Sequence, residues 1–280
     1  MNQNDCLRRF LFDDLGVRGE WVHLQTSFQA AKHYQSLSDH VASQLGEALA
    51  AVTLLSATIK FKGSMVLQAQ GNGALHTLVA QASDQQEIRG LVRGDKKMAE
   101  GSLQTMMGEG RLVLTTKAEN GEPYQGIVSL EANGLAEVIE NYFQQSEQLP
   151  TRVWLFSDKT QVAGLFLQKI PTEGREELDW ERITAVANTI TADELLNLDC
   201  ETVLYRLFNE DKLRLFEPQT VTFKCSCSRE KIIETLQTLG RDDLESALKE
   251  QEIVAVDCEF CGQKYTFNAE AIEMILTPNS

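Results

Sequence analysis

The chain has 280 residues, of which 42% are hydrophobic and 24% are charged, as in an ordinary soluble globular protein. Its formal net charge of −15 argues against nucleic-acid binding, because phosphates are bound through clustered Lys and Arg side chains. No run approaches the ~18 apolar residues of a membrane span, and the N-terminus lacks the basic and then apolar layout of a secretory signal. We therefore expect a cytoplasmic protein that has no membrane partner.

Residues 1–171 are predicted to form an α+β core domain, in which strands and helices surround one core. The runs FLFDD and VRGEWVHL predict short strands, so residues 5–35 are expected to be strands and turns. Ser38 or Asp39 can cap a long helix. Its apolar residues recur at helical spacing, at Val41, Leu45, Leu49, Val52 and Ile59.

A β-rich stretch is predicted after this helix, with turn signals such as Asn120-Gly121. A second helix follows, whose apolar stripe consists of Leu135, Val138, Ile139, Tyr142 and Phe143. The segments TRVWLF and VAGLFLQKI then predict two further strands.

Residues 172–220 are predicted to form a helical linker, in which Thr191 and Glu194 can make a capping box. The stretch from Pro171 to Gln219 contains 12 acidic and 5 basic residues. Its apolar faces are narrow and consist of Trp180, Ile183, Ala187 and Ile190, and of Val203, Leu204, Leu207 and Phe208. Such helices are stable only when docked on another surface. On composition alone, an ordinary helical extension of the core is an equal alternative.

Residues 221–280 are predicted to form a small third domain. Ser228 can cap a helix that ends at Gly240, DDLESALKE predicts a second helix, and Asn268 can cap a third. The segments EIVAV and KYTF can pair as a hairpin whose turn carries Cys258 and Cys261.

Four of the six cysteines form two short pairs in this domain, Cys225-x-Cys227 and Cys258-x2-Cys261, which are separated by 30 residues. This spacing is typical of a tetrahedral zinc site with four thiolate ligands. Gly262 permits a tight turn whose backbone amides point at the sulfurs. Four protein ligands leave no open position, which argues against metal catalysis.

The function of this zinc site stays open between two readings. A closed structural zinc contributes ~10–16 kcal/mol to folding and is enough to explain the pattern. The alternative is a reversible switch, because thiolates are what oxidants attack and a bridge between residues i and i+2 is strained and easily reduced.

The sequence resembles the heat shock protein 33 family, the redox-regulated cytosolic chaperones of bacteria, over essentially its whole length. The segments that carry the resemblance are LGEALAAVTLLSATIKFKGSMVLQAQGNG at 45–73, YQGIVSL at 124–130, YFQQSEQLPTRVWL at 142–155, FKCSCSRE and VDCEFCGQKYTF. None of the four cysteines departs from the family's pattern.

The resemblance implies an ATP-independent holdase, in which the core domain binds clients and the linker is metastable. Oxidation would form Cys225–Cys227 and Cys258–Cys261 bridges, release Zn²⁺ and unfold the linker. The reduced chain is expected to be a monomer and the oxidised chain a homodimer that passes clients to ATP-dependent refolding chaperones. We predict that the linker is latched to the core by Trp180, Ile183, Ile190, Leu204 and Leu207.

The remaining candidates for chemistry are weak. Cys6 and Cys200 have no cysteine close in sequence and are expected to be ordinary small residues, although Cys200 is a candidate accessory redox site in the linker. The four histidines, His23, His33, His40 and His76, lack ligand spacing to the cysteines. No catalytic set is identifiable, so we expect no enzyme. Two alternatives remain, a zinc-ribbon nucleic-acid binder and a thiol–disulfide oxidoreductase that uses Cys258 and Cys261.

Overall fold

The structure is a computed structural model that describes residues 5–58, 62–97, 100–119, 121–171 and 177–276. Ile59 of the predicted long helix and Asn120 of the predicted turn lie outside these residues. The chain divides into two compact units, Met1–Lys224 and Cys225–Ser280, which are described separately below.

The first unit contains both strands and helices. Its elements as far as residue 169 are β1 (Cys6–Phe12), β2 (Val17–Leu24), α1 (Thr26–His33), α2 (Asp39–Thr58), β3 (Gly63–Gly71), β4 (Leu75–Ser83), β5 (Glu87–Gly94), α3 (Leu103–Met107), β6 (Gly110–Ala118), β7 (Tyr124–Ser129), α4 (Leu135–Tyr142), β8 (Thr151–Ser157) and β9 (Val162–Lys169). A single π-helical turn, Phe143–Glu147, follows α4.

The second half of the first unit is helical and then extended. Its elements are α5 (Glu177–Ala187), α6 (Ala192–Asn197), α7 (Cys200–Phe208), β10 (Leu213–Leu215), β11 (Gln219–Thr220) and β12 (Thr222–Phe223). The capping box predicted for α6 is present, with the Thr191 side chain accepting from the Glu194 amide and the Glu194 carboxylate accepting from the Thr191 amide.

The strands form two six-stranded sheets. The first has the order β10-β1-β2-β9-β8, with β11 also paired to β1, and the second has the order β12-β5-β4-β3-β6-β7. All neighbours are antiparallel except β12 and β5, which are parallel. The expected α+β class is therefore confirmed.

Helix α2 packs against strands of both sheets and forms the centre of the main core. The Ser38 hydroxyl accepts a hydrogen bond from the Val41 amide at its start, as the sequence predicts. By length and composition this helix could cross a membrane, but 72% of its most apolar window is buried within the protein. A core helix has the same composition, because it is apolar on every side.

The outer face of the first sheet is covered by α5, α6 and α7. Strands β1, β2 and β9 alternate, so that Leu7, Val22 and Phe166 face α2, whereas Phe10 and Trp21 join a second apolar cluster with the three helices. This cluster buries the apolar faces of helices that are too short to be stable alone.

Several short elements of the first unit differ from the sequence-based expectation, among them the five-residue helix α3 within the predicted β-rich stretch. Residues 26–33 form helix α1 instead of strand and turn, because only Phe28 and Ala31 of this short segment are apolar at helical spacing, which is too weak a pattern to read. Strands β10 and β11 have three and two residues, too short for an alternation to show in the sequence.

The second unit contains the predicted helices and hairpin. Its elements are α8 (Arg229–Leu239), α9 (Arg241–Gln251), β13 (Ile253–Asp257), β14 (Lys264–Asn268) and α10 (Ala269–Leu276). Strands β13 and β14 pair antiparallel. A small separate core consists of Leu236, Leu244, Val254, Phe267, Ile272 and Ile275.

Candidate metal centre

The backbone on either side of each cysteine pair is fixed by local hydrogen bonds. The Ser228 hydroxyl accepts from the Lys231 amide at the start of α8, directly after Cys227. Cys258 and Cys261 lie in the turn of the β13–β14 hairpin. There the Gly262 amide donates to the Cys258 carbonyl at 2.7 Å. Gly262 has φ of 69°, the left-handed conformation that only glycine adopts without strain, so the predicted tight turn is confirmed.

This geometry brings the four thiols together. The sulfurs of Cys225 and Cys258 are 3.6 Å apart, those of Cys227 and Cys261 are 3.5 Å apart, and all four lie within 4.8 Å of one another. A tetrahedral ion with zinc–sulfur bonds of about 2.3 Å separates its sulfur ligands by about 3.8 Å. The four sulfurs could therefore hold one metal ion, and the four cysteines are free thiols.

Backbone amides act on the sulfurs of the hairpin. Burial raises the pKa of the Cys258 thiol, whereas hydrogen bonds from the Phe260 and Cys261 amides act against this rise. Burial also raises the pKa of Cys261, against a hydrogen bond from the Gln263 amide. Amides that donate to sulfur stabilise thiolates, which are the form that binds a metal ion.

Tyr265 is a residue of the site that the sequence reasoning did not assign. Its hydroxyl donates to the Cys227 sulfur at 3.2 Å. Burial acts to raise the pKa of Cys227, but the Tyr265 hydroxyl and the neighbouring thiols lower it to about 7. The Cys227 sulfur in turn raises the pKa of Tyr265 to about 12. No local spacing in the sequence signals this contact, because Tyr265 and Cys227 are 38 residues apart and only the folded second unit brings them together.

The two other cysteines are buried in the first unit. Cys6 in β1 and Cys200 at the start of α7 belong to the same apolar cluster. Burial raises the pKa of both thiols. A protonated, buried thiol reacts slowly, which agrees with the expectation that they are ordinary small residues.

The five predicted latch residues all lie in the cluster on the outer face of the first sheet. Ile183, Ile190 and Leu204 are buried, whereas Trp180 and Leu207 are partly buried. Polar contacts accompany them: the His23 ring nitrogen is 3.1 Å from the Leu196 carbonyl, and Arg8 pairs with Glu201 at 2.7 Å. The structure brings these side chains together on one surface, and their role as a latch stays a prediction.

Comparison with known proteins agrees with this architecture. The sequence model of a family described as "Hsp33 protein" matches residues 5–268. The chain is 52% identical over 277 residues to the 33 kDa chaperonin of Nitrosococcus oceani, covering 99% of this chain and 96% of the relative. It is 44% identical over 283 residues to the 33 kDa chaperonin of Pseudomonas paraeruginosa, covering 98% and 95% of the two chains.

A solved structure has the same fold. The crystal structure of the 33 kDa chaperonin (heat shock protein 33 homologue) from Thermotoga maritima superposes with a TM-score of 0.85 at 26% identity, covering 97% of this chain and 98% of that one. A family match over nearly the whole chain, relatives above 40% identity and a shared fold lead to one conclusion: this chain belongs to the Hsp33 family, which consists of molecular chaperones that bind unfolded client proteins and not of enzymes.

Proposed function

We propose that this chain is a redox-regulated, ATP-independent holdase, inactive when reduced and metal-bound, and active when its four-cysteine centre is oxidised. The observation that carries the proposal is the convergence of four thiols within 4.8 Å in a unit with a core of six buried residues. The proposed domains are the client-binding core at 1–171, the metastable linker at 172–220 and the switch at 221–280.

Zn²⁺ is the proposed metal. Cys225, Cys227, Cys258 and Cys261 offer four soft sulfur ligands, and tetrahedral four-sulfur sites select zinc or iron–sulfur centres. A single ion fits the observed spacing of the sulfurs. The four bonds would complete the fold of the second unit and hold the sulfurs as thiolates.

Oxidation of this centre is the proposed trigger. Peroxide or hypochlorous acid would remove two electrons from each thiolate pair and form Cys225–Cys227 and Cys258–Cys261, which leaves the zinc without ligands. The sulfurs that lie 3.6 and 3.5 Å apart belong to different pairs, so the pairing is itself part of the proposal. Peptide mapping of the oxidised chain tests it, and Cys225–Cys258 or Cys227–Cys261 bridges would contradict it.

The proposed output is release of α5–α7 from the first sheet. The latch residues and the sheet face beneath them would both become exposed, and large exposed apolar surfaces bind unfolded chains. The same surface would allow the oxidised chain to form a homodimer, whereas the reduced chain is proposed to be a monomer. In this scheme the protein acts in the cytoplasm and passes clients to ATP-dependent refolding chaperones.

Light scattering from a heat-unfolding client tests the proposal. One sample contains the reduced, zinc-loaded chain and the other contains the same chain after peroxide treatment at raised temperature. We expect only the oxidised chain to suppress aggregation. Suppression by both forms would show that the centre is structural and does not gate the chaperone.

A matched variant separates the two classes of cysteine. The double variant C6A/C200A retains the four-cysteine centre and is expected to be activated like the wild type. If the double variant could no longer be activated, the switch would lie with the buried pair instead.

A further inference from the structure

A cavity of about 450 Å³ lies in the first unit, between the two sheets. Strands β2 and β9 of the first sheet line one side, and β3, β6 and β7 of the second sheet line another. The C-terminal end of α2 and the turn after α4 complete the wall. The apolar part of the lining consists of Leu55, Met65, Leu114, Phe143 and Leu149. The volume is within the range of small-molecule sites, which is roughly 300–1,000 Å³.

Three of the sequence segments that carry the family resemblance, all of them without cysteines, contribute residues to the lining of this cavity. Eight of its twelve lining residues come from the segments 45–73, 124–130 and 142–155, which carry the resemblance described above.

The turn after α4 places the Glu147 carboxylate in the lining of the cavity. It is π-helical, and it ends at Gln148 with φ of 55°, a conformation that costs free energy for a residue other than glycine. The turn directs Glu147 back to the phenols of Tyr142 and Tyr124. Their hydroxyls both donate to Glu147 Oε1, at 2.7 and 3.1 Å. Glu147 Oε2 accepts no hydrogen bond from the described residues.

The ring of Tyr142 packs directly against the backbone of Gly126 in β7, where no side chain stands in its way. A Cβ atom at Gly126 in β7 would lie 2.2 Å from Tyr142 Cε2. The segment YQGIVSL thus supplies both Tyr124 and the glycine against which Tyr142 packs. Burial, and then the Glu147 carboxylate, raise the pKa of Tyr142, so its phenol stays a hydrogen-bond donor.

Arg18 in β2 supplies a positive charge to the same cavity. Its Nε and Nη2 donate to Gln168 Oε1 at 3.2 and 2.5 Å, and its Nη1 donates to the Thr58 carbonyl at 3.0 Å. Gln168 is itself fixed, because its amide donates to the Thr151 hydroxyl at 2.8 Å. These bonds use three of the five guanidinium N–H groups, and Arg18 makes no ion pair with the described residues.

We propose that this cavity is a binding site for a free α-amino acid with an apolar side chain. The carboxylate of the ligand would accept hydrogen bonds from the remaining N–H groups of Arg18, and its ammonium would donate to Glu147 Oε2. Its side chain would occupy the apolar wall. One fixed cation, one fixed anion and an apolar wall around a small volume match the three parts of such a ligand.

Methyl NMR of the full-length, reduced and zinc-loaded chain tests this proposal. The chain contains six methionines, of which Met65 lines the cavity, while Met106 and Met107 are buried elsewhere. We expect L-phenylalanine or L-leucine to shift the Met65 methyl signal and to leave those of Met106 and Met107 in place. Absence of a Met65 shift with both amino acids would overturn the proposal.

Three related probes separate the two charged contacts on the native protein. N-acetyl-L-phenylalanine lacks the ammonium, and phenethylamine lacks the carboxylate. Each is expected to bind at least about 10-fold more weakly than L-phenylalanine, because each loses one charge-assisted contact. Equal affinity for all three probes would show that the cavity binds apolar groups without recognising either charge, and it would overturn the proposal.

Variants give the reciprocal test. Glu147→Gln keeps an acceptor for both tyrosines. It is expected to weaken binding of L-phenylalanine and phenethylamine, which carry the ammonium, about 10-fold and to leave binding of N-acetyl-L-phenylalanine unchanged. Arg18→Gln should weaken the two carboxylate-bearing probes. Arg89→Gln is a matched control, since Arg89 also donates Nε and Nη2 to a cross-strand glutamine, Gln81, but does not line the cavity. An Arg89→Gln variant that loses binding as Arg18→Gln does would refute the assignment.

Discussion

At the scale of residues, single hydrogen bonds shift the pKa values of the sulfurs in the four-cysteine centre. Tyr265 contacts Cys227, and with the neighbouring thiols its hydroxyl lowers the pKa of that cysteine to about 7. This hydrogen bond favours the thiolate form of Cys227. In the proposed switch, we therefore expect Cys227 to be the cysteine that an oxidant attacks first.

Replacement of Tyr265 by Phe tests this contact. Loss of the hydroxyl should raise the pKa of Cys227 and weaken Zn²⁺ binding by about 10-fold, a typical cost of losing a group that supports a metal ligand. Competition with a chromogenic chelator measures the affinity. Tyr205→Phe serves as the control, because Tyr205 is 72% exposed in the first unit. Equal zinc affinity in the two variants would show that Tyr265 contributes packing alone.

A second residue-scale feature is the buried carboxyl group of Glu20 on the inward face of β2. Glu20 is 3% exposed, and its Oε2 has no hydrogen-bond partner among the described residues. Burial raises its pKa from 4.5 to about 7, against smaller opposing effects of Arg18 and Arg9. The folded chain thus holds this proton more tightly than the unfolded chain does.

The sign of the resulting pH dependence follows from linkage. Glu20 stabilises the fold below its unfolded pKa of about 4.5, and this contribution is lost as the pH rises through about 7. The difference corresponds to about 3 kcal/mol. Between pH 5 and 8, we expect the free energy of unfolding in urea to fall less for Glu20→Gln than for the wild type. Glu131→Gln, at an exposed site, should follow the wild type, and parallel curves for all three chains would contradict the prediction.

At the scale of elements, helices α5–α7 combine strong local signals with short length, and their apolar faces are buried in the cluster on the first sheet. Helix α6 begins with a capping box, and α7 begins with Asp199, whose side chain accepts from the Thr202 amide. Caps of this kind contribute about 1 kcal/mol each, so the helices still depend on the sheet beneath them. A segment of this kind can be folded in one state and released in another.

Removal of latch side chains should release the linker without an oxidant. Ile183→Ala is expected to cost about 2–4 kcal/mol, because Ile183 is completely buried. Trp180→Ala should act in the same direction and less strongly, since Trp180 is only partly buried. Both variants should suppress aggregation partially while reduced and zinc-loaded, as light scattering would show.

Tyr205→Ala is the control for these variants, since Tyr205 lies in α7 but points into solvent. This variant should not suppress aggregation until it is oxidised. If neither Ile183→Ala nor Trp180→Ala suppressed aggregation in the reduced state, these side chains would not form the latch.

At the scale of the whole molecule, the two units differ greatly in the size of their cores. The first unit buries two large apolar clusters, whereas the second has six buried residues around α8, α9, α10 and the hairpin. A chain of about 60 residues is marginally stable without a metal ion or disulfides. The second unit is therefore expected to depend on the proposed zinc ion for its stability.

Chelation of zinc from the reduced chain should unfold the second unit selectively. A structural zinc contributes ~10–16 kcal/mol, which is more than the net stability of a small domain. Hydrogen exchange should show loss of protection in β13 and β14 and unchanged protection in β3, β4 and β6. Chelator that is already loaded with zinc serves as the control. Retained protection of the hairpin after complete metal removal would contradict the prediction.

Local patterns in the sequence determined most of the elements and the set of four cysteines. The Ser38 cap, the Thr191–Glu194 capping box and the turn at Gly262 each join residues that are close in sequence. Local sequence is therefore enough to predict them. Helix α1 and strands β10 and β11 were missed, because segments of two to eight residues carry too weak a period and are fixed by what they pack against.

Contacts between residues distant in sequence were decided by the tertiary structure alone. Cys6 and Cys200 share one apolar cluster although 193 residues lie between them, and Tyr265 reaches Cys227 across the second unit. Arg18 and Glu147, which are also distant in sequence, line the same cavity between the sheets. No local spacing specifies such neighbours, because sheet register and the π-helical turn place them, and both are fixed only when the whole core is packed.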